Sequence, residues 1–247
     1  MPFTFSHPAI VLPFKYFGGK RFSTTGLIIG SITPDFEYFL RFENWSVHSH
    51  KWTGVLWLDL PGGLILCFVF HEVIKVPLFT NLPDVLRKRV LRFSTFNWKH
   101  YFSRRWMTVV FSLLLGIASH LLWDRFTHQT YGFIENKPVP ATGHIDLNPT
   151  STYRIIQVFY SAFGLAVLAI AVLRLPPETV RPAAPRHPFW IMIAFFALSM
   201  LGLAIIFTGL EFMDWITAPL SSGIIALTAS SFIMLRDKAA LLRGWRM

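Results

Sequence analysis

The sequence GIASHLLWDRFTH, which runs from Gly116 to His128, places three potential metal ligands at intervals of four residues: His120, Asp124 and His128. Successive residues of an α-helix are rotated by about 100°, so a step of four keeps the side chains on one stripe of the helix. Two imidazoles and a carboxylate on one stripe can supply half of the shell of a divalent metal ion. The alternative interpretation is a group of interfacial polar residues that cap one another at a helix end.

The stretch follows an apolar run, Trp106–Leu115, and the chain as a whole is unusually apolar. Of the 247 residues, 53% are hydrophobic and 15% are charged, and the mean hydropathy is +0.48. Soluble domains have about 25% charged residues. The excess of apolar residues lies in long runs, which is typical of a protein that crosses a membrane several times. The single cysteine, Cys67, excludes both a disulfide framework and a cysteine-rich zinc site.

We predict an all-α, polytopic helical membrane protein with about five transmembrane helices. The predicted spans lie near residues 55–74, 106–123, 155–173, 189–210 and 216–235. The first is the weakest, because it contains Asp59 and Pro61. Residues 1–175 are predicted to form one domain that carries the His/Asp cluster. Residues 176–247 are predicted to form a C-terminal transmembrane hairpin.

Basic residues lie between the apolar runs and predict the side of the membrane that each loop occupies. The net charge of +10 is typical either of nucleic-acid binding or of a membrane protein with basic cytoplasmic loops. Clustering of the basic residues in a polar loop, residues 75–105, and in the tail from Arg236 favours the second interpretation, so no nucleic-acid partner is expected. The positive-inside rule then places this loop and the C-terminus in the cytoplasm, with the bacterial inner membrane as the expected location.

The N-terminal region carries further His and Asp residues in short helical segments. Ser6 can cap a helix that opens at Pro8, which places His7 at its start. The segment Gly26–Leu40 is shorter than the roughly 20 residues needed to span, and Pro34–Asp35 interrupts it. We therefore predict an N-terminal helical region that packs on the extracytoplasmic end of the bundle.

If residues 55–74 cross the membrane, the N-terminal 50 residues lie on the outer side together with the His120 stripe. The polar residues that this orientation brings to one side include His7, Asp35, His48 and His50. His71 and His100 fall at the inner side and are excluded as ligands. Two alternatives remain open: a first segment that only dips into the membrane would separate the two groups, and the N-terminal region could occupy a hydrophilic vestibule.

Imidazole and carboxylate ligands suit zinc and related divalent ions, and an open coordination position would give a nucleophile derived from water. At a membrane surface, a lipid headgroup or another phosphoester is the natural substrate, with the lipid bilayer as partner. Asp59, inside an apolar segment, is either functional in its own right or a partner that orients a ligating His. Arg125 could bind a phosphate bidentately or could lie at a helix end beside headgroups.

Four motifs together resemble a family of bacterial integral-membrane proteins of unknown function. In order, they are MPFTFSHP, GSITPDFEYFL, HSHKWTGVLWLDLP and GIASHLLWDRFTH, at residues 1–8, 30–40, 48–61 and 116–128. The resemblance covers about the first 175 residues. It implies an integral-membrane protein but carries no established activity.

More distantly, the layout resembles the α-helical zinc-dependent phospholipase C and P1-nuclease group and the membrane-bound metal-dependent hydrolases similar to it. That resemblance implies a ligand set of His7, Asp35, His50, His120, Asp124 and His128, with His50 preferred to His48 because Gly54 follows at the group's spacing. It implies one or two zinc ions, with Asp35 or Asp124 as the possible base. His48, Asp59 and Arg125 are expected around the ligands. The expected function is phosphoester hydrolysis; the alternative is a non-enzymatic, transporter-like or accessory protein whose cluster is structural or handles protons.

Overall fold

The computed structural model describes residues 3–43, 46–127, 149–179, 187–208 and 214–235, and every regular element in these ranges is helical. The helices are α1 (Pro8–Gly18), α2 (Thr24–Gly30), α3 (Phe36–Arg41), α4 (Val55–Asn81), α5 (Asp84–Val90), α6 (Trp98–Thr127), α7 (Pro149–Leu173), α8 (His187–Thr208) and α9 (Asp214–Met234). Short 3₁₀ turns occupy Thr4–Ser6, Gly19–Arg21, Thr33–Asp35 and Leu91–Thr95. The prediction of an all-α chain is confirmed for these residues.

Five of the described helices are long and apolar enough to cross a membrane. Their apolar portions are Val55–Asn81, Trp98–Phe126, Ile155–Leu173, His187–Phe207 and Ile216–Met234. The first exceeds the predicted span at its end, over residues 75–81. Two π-helical turns, Val55–Asp59 and Phe70–Ile74, lie within it. Five apolar helices of this length indicate a membrane protein, as the hydropathy pattern predicted.

The prediction of a polar loop at residues 75–105 is wrong. The segment consists of the end of α4, helix α5, the turn Leu91–Thr95 and the start of α6. Charged residues lowered its hydropathy but did not prevent helix formation, because Lys and Arg are good helix formers. A kink at Arg105, where φ is −137°, separates this polar part of α6 from its apolar part.

The chain divides into two compact units that interleave along the sequence. The first comprises residues up to Pro34, Ser49–Gly63 and Met107–Ile170, and the second comprises Asp35–His48, Leu64–Trp106 and the chain from Ala171. The predicted boundary at residue 175 stays a prediction.

In the first unit, α2 and α6 are in close backbone contact through glycines. Gly26 and Gly30 are four residues apart on α2, as in the small-residue pairs of membrane helix interfaces. A Cβ atom on Gly30 would lie 2.3 Å from the carbonyl oxygen of Leu113, and one on Gly116 would lie 2.5 Å from that of Leu27. Only glycine allows this approach, so these residues set the distance between the two helices.

The N-terminal turn of the same unit packs on α7. The backbone N–H of Phe3 donates to the hydroxyl of Ser161 at 2.8 Å. A Cβ atom on Gly164 would lie 2.8 Å from the carbonyl oxygen of Ser6. The turn that precedes His7 therefore packs closely against α7. None of the predicted ligands lies on α7.

The second unit is held by polar contacts around the basic residues. The Lys75 ammonium, buried in the last part of α4, donates to the carbonyl oxygen of Phe96 at 2.7 Å. His71 stacks on the Trp98 indole with ring centroids 4.4 Å apart, which accounts for its burial in packing terms. The carboxylate of Glu178 lies 3.2 Å from the guanidinium of Arg92. Within this unit, α8 and α9 pack along each other.

Candidate metal centre

The candidate site is built on two residues of α6 in the first unit. His120 and Asp124 are one helical turn apart and are 0% and 5% exposed. The Nε2 atom of His120 lies 3.2 Å from Oδ2 of Asp124. The spacing of four therefore produces the shared stripe that the sequence predicted, and the stripe faces the protein interior.

His50 completes a triangle of donor atoms. Its Nε2 atom lies 3.4 Å from Nε2 of His120 and 3.3 Å from Oδ2 of Asp124. Ligands bound to one tetrahedral zinc ion at 2.0–2.1 Å are separated by about 3.3–3.4 Å. The three atoms thus have the mutual spacing that one face of a tetrahedral zinc shell requires, although 70 residues separate His50 from His120.

The orientation of the His120 ring is fixed by the backbone. Its Nδ1 atom lies 2.8 Å from the carbonyl oxygen of Ser31, the residue that follows α2. A carbonyl oxygen can only accept a hydrogen bond, so Nδ1 carries the proton and donates it. In the neutral ring the lone pair is then on Nε2, the atom that faces His50 and Asp124. This is the arrangement that metal-binding histidines commonly have.

His7 lies beside the other carboxylate oxygen of Asp124, Oδ1. Its Nε2 atom lies 3.5 Å from Oδ1 of Asp124, and its ring stacks on that of His120 with centroids 4.2 Å apart. His7 is 2% exposed. His7 directly follows the N-terminal turn that packs on α7. Its contact is with Oδ1 of Asp124, the oxygen that is not part of the triangle.

Asp35 is the first residue of the second unit, but it is bonded to Pro34 and shares the 3₁₀ turn Thr33–Asp35 with the end of the first unit. Its side chain is buried, and one carboxylate oxygen lies within 4.8 Å of a ligand atom of each of His50, His120 and Asp124. These four residues form a buried group that could hold a metal ion.

The backbone of His50 is in the left-handed region, with φ of +67°. Residues other than glycine occupy this region at a cost of roughly 1–2 kcal/mol. Such strain is found at functional sites, where the side chain is needed at that position. A histidine in a backbone conformation suited to glycine therefore supports a functional role for the imidazole.

The remaining predicted residues do not belong to the group of donor atoms that the structure brings together. His128 lies outside the described residues. His48 has an exposed side chain, and its backbone N–H donates to the Glu37 carboxylate at 3.0 Å. Arg125 is exposed on the surface of α6. Asp59 is buried and accepts a hydrogen bond from Ser49, the neighbour of His50.

Two residues that contact the site or its neighbours were not predicted from the sequence: Ser31 and Ser49. Ser31 acts through its backbone carbonyl, which no side-chain pattern reveals, although the Gly26–Gly30 pair just before it could have indicated the helix crossing. Ser49 stands between the two candidate histidines of the HSH motif.

Comparison with known proteins identifies the family of the chain but no activity. The family model described as Domain of unknown function (DUF4184) matches residues 1–239. No curated protein and no solved structure gives a significant match. The resemblance to zinc-dependent phospholipases therefore stays a prediction. Because the match covers nearly the whole sequence, the chain belongs to the DUF4184 family.

Proposed function

We propose that the protein is a membrane-bound, metal-dependent hydrolase that acts on a phosphoester, with zinc as the best-fitting ion. The observation that carries this proposal is the triangle of Nε2 of His50, Nε2 of His120 and Oδ2 of Asp124, whose sides measure 3.4, 3.2 and 3.3 Å. Two histidines and one carboxylate form a ligand set of catalytic zinc sites, in which the fourth position is left for water or substrate.

The side chains have separate roles in this proposal. His50 and His120 would donate their Nε2 lone pairs, and the Ser31 carbonyl would hold the His120 ring in the required tautomer. Asp124 would use Oδ2 as a ligand, while His7 at Oδ1 would fix the carboxylate plane. A bound divalent ion supplies an activated water and polarises a phosphoryl oxygen.

Asp35 is proposed as the general base. Its carboxylate is close to the ligand atoms but is the one member of the buried group outside the triangle. A carboxylate at this distance can accept a proton from the attacking water directly or through one further water. Asp124 is less suited, because both of its oxygens already face imidazoles.

The proposed substrate class is a phosphoester carried by a lipid or presented at the membrane surface. The five apolar helices would keep the protein in the bilayer, where lipid headgroups are the most concentrated phosphoesters. Arg125, next to Asp124 and exposed, could bind a phosphate that reaches the site. The bacterial inner membrane, with the C-terminus in the cytoplasm and the site toward the outer side, is proposed from the distribution of basic residues.

The test is metal content and hydrolysis by the detergent-purified protein. We expect about one zinc ion per chain by elemental analysis, and zinc-dependent hydrolysis of bis(p-nitrophenyl) phosphate or of phospholipid in mixed micelles. His120→Ala should lose both. His100→Ala is the matched control, because His100 is exposed near the start of the same helix.

Bound zinc without hydrolysis of either substrate would favour the non-enzymatic alternative, in which the cluster is structural or handles protons. Equal zinc content in wild type and His120→Ala would reject the metal site and the hydrolase together.

A further inference from the structure

Ser49 and Asp59 form a buried hydrogen bond that the proposed ligand set does not include. The Ser49 hydroxyl donates to Oδ1 of Asp59 at 2.9 Å. Ser49 is 2% exposed and Asp59 is 1% exposed. Both belong to the first unit, and Asp59 lies in the apolar helix α4. A buried carboxylate in an apolar helix is costly to maintain, so its contact with Ser49 calls for a function.

Asp59 lies at the end of a π-helical turn. The turn spans Val55–Asp59, and the N–H of Leu60 donates to the carbonyl oxygen of Val55, five residues earlier. One extra residue in a turn rotates the following side chains by about 100° relative to an uninterrupted α-helix. Turns of this kind occur frequently at functional sites. Here the turn ends at the acid that contacts Ser49.

The hydrogen bond closes a short loop over the start of α4. Ser49 and Asp59 are ten residues apart, and the N–H of Val55 donates to the carbonyl oxygen of Lys51 within that interval. His50 lies in the closed loop, directly after Ser49, and has the left-handed φ of +67°. The contact therefore anchors the backbone on one side of the residue that reaches His120 and Asp124.

We propose that the Ser49–Asp59 hydrogen bond is a positioning device for His50, and that it holds the imidazole where it can bind a metal ion. This inference rests on the proposed metal site. Asp59 acts through Ser49 and the His50 backbone and does not contact the ion. Without the contact, the loop would sample other conformations, and His50 would leave the left-handed region that aims its Nε2 atom at Asp124.

The proposal predicts a defect in metal binding that depends on His50. The experiment measures the zinc dissociation constant of the full-length protein in detergent, together with the visible absorption of the Co²⁺-substituted protein. Ser49→Ala should weaken zinc binding by about 10- to 100-fold, the range seen when partners of metal ligands are removed. It should also alter the Co²⁺ bands, because the geometry of a ligand changes.

Asp59 variants test the other end of the contact. Asp59→Asn keeps an oxygen that can accept from Ser49 and should retain most of the affinity, whereas Asp59→Leu should resemble Ser49→Ala. If Asp59→Leu fails to fold, the comparison of Ser49→Ala with Asp59→Asn still decides the question. Ser103→Ala, at an exposed hydroxyl of α6, is the control and should bind zinc normally.

The decisive comparison uses a His50→Ala background. If Ser49 acts through His50, Ser49→Ala should have little further effect on the weak residual zinc affinity of that variant. An equal loss in both backgrounds would overturn the proposal in favour of a general structural role. Normal zinc binding by Ser49→Ala would overturn it while leaving the proposed function intact. Absence of zinc binding by the wild type would reject the proposed function and this inference with it.

Discussion

The Nδ1 atom of His120 lies 2.8 Å from the carbonyl oxygen of Ser31, and both residues are fully buried although 89 positions separate them in the sequence. The contact couples the helix crossing to the candidate metal centre. The glycines of α2 bring its backbone against α6, and the carbonyl group just past the end of α2 then orients the imidazole. Any change in the distance between these helices should therefore change the position of the His120 imidazole.

Gly30→Ala tests this coupling. The added Cβ would lie 2.3 Å from the carbonyl oxygen of Leu113, so α2 and α6 must separate. We expect a loss of stability of roughly 1–3 kcal/mol, as for other overpacked cores, and weaker zinc binding because the Ser31 carbonyl moves with α2. The measurements are thermal unfolding in detergent and zinc titration.

Gly62→Ala is the matched control for Gly30→Ala. It lies in α4, and a Cβ there would meet nothing within 4 Å. It should leave zinc affinity unchanged and raise stability slightly, because alanine favours the helix by up to about 1 kcal/mol over glycine. Normal zinc affinity in Gly30→Ala would contradict the coupling.

Candidate ligands can be sought in the sequence because their chemistry is carried by side chains. His120 and Asp124 follow from a spacing of four on one helix, whereas His50 is expected only from the resemblance to the zinc-dependent group, in which Gly54 follows at the group's spacing. Ser31 could not be predicted in this way, because every residue has a carbonyl group and only the fold decides which one is near an imidazole. In the structure, His50 joins the triangle and His48 is exposed, and the preference for His50 as a ligand stays a prediction.

The apolar helices can likewise be predicted from hydropathy. The polar helices within residues 75–105 cannot. Residues 75–105 contain too many bases for an apolar run, and the packing of their helices includes contacts such as that of Lys75 with Phe96. A buried ammonium bound to a distant carbonyl oxygen is a tertiary contact that local pattern does not encode.

His50→Gly should separate stability from function. Glycine adopts the left-handed conformation without the cost that His50 bears, so the variant should be as stable as the metal-free wild type or more stable by up to about 1–2 kcal/mol. It should bind zinc far more weakly, because one of the three donor atoms of the triangle is lost. Thermal unfolding with and without zinc measures both effects, with His48→Gly, at an exposed position two residues earlier, as the control. A large loss of stability in metal-free His50→Gly would show that the imidazole is structural.

Zinc affinity should decrease as the pH is lowered. Imidazole binds zinc only as the neutral ring, so protons compete with the ion at His50 and His120. Zinc at a free concentration 100 times the dissociation constant stabilises the folded protein by about 2.7 kcal/mol. This stabilisation should decrease as the pH falls and the dissociation constant rises. The measurement is the zinc-induced shift in melting temperature at pH 8 and at pH 6. An unchanged shift would argue against imidazole ligands.

The predicted orientation can be tested with topology reporters. A reporter fused after Met247 should report the cytoplasmic side, and one inserted near Lys137 should report the extracytoplasmic side, because the tail is basic and an odd number of spans, three, separates the two positions. Labelling of single cysteines in a Cys67→Ser background provides an independent check. If both positions report the same side, at least one of the three helices from residue 149 onward does not cross the membrane.

His7→Ala should distinguish a partner of Asp124 from a ligand of a second ion. The Nε2 atom of His7 contacts Oδ1 of Asp124 at 3.5 Å, whereas the donor triangle uses Oδ2. We therefore expect His7→Ala to weaken zinc binding by about 10- to 100-fold while about one zinc ion per chain still binds at saturation. His120→Ala should weaken binding much further, because it removes a donor of the triangle itself. Elemental analysis after equilibrium dialysis at several zinc concentrations measures both affinity and stoichiometry. A fall from two zinc ions per wild-type chain to one in His7→Ala would show that His7 ligates a second ion, and Asp124 would then bridge the two.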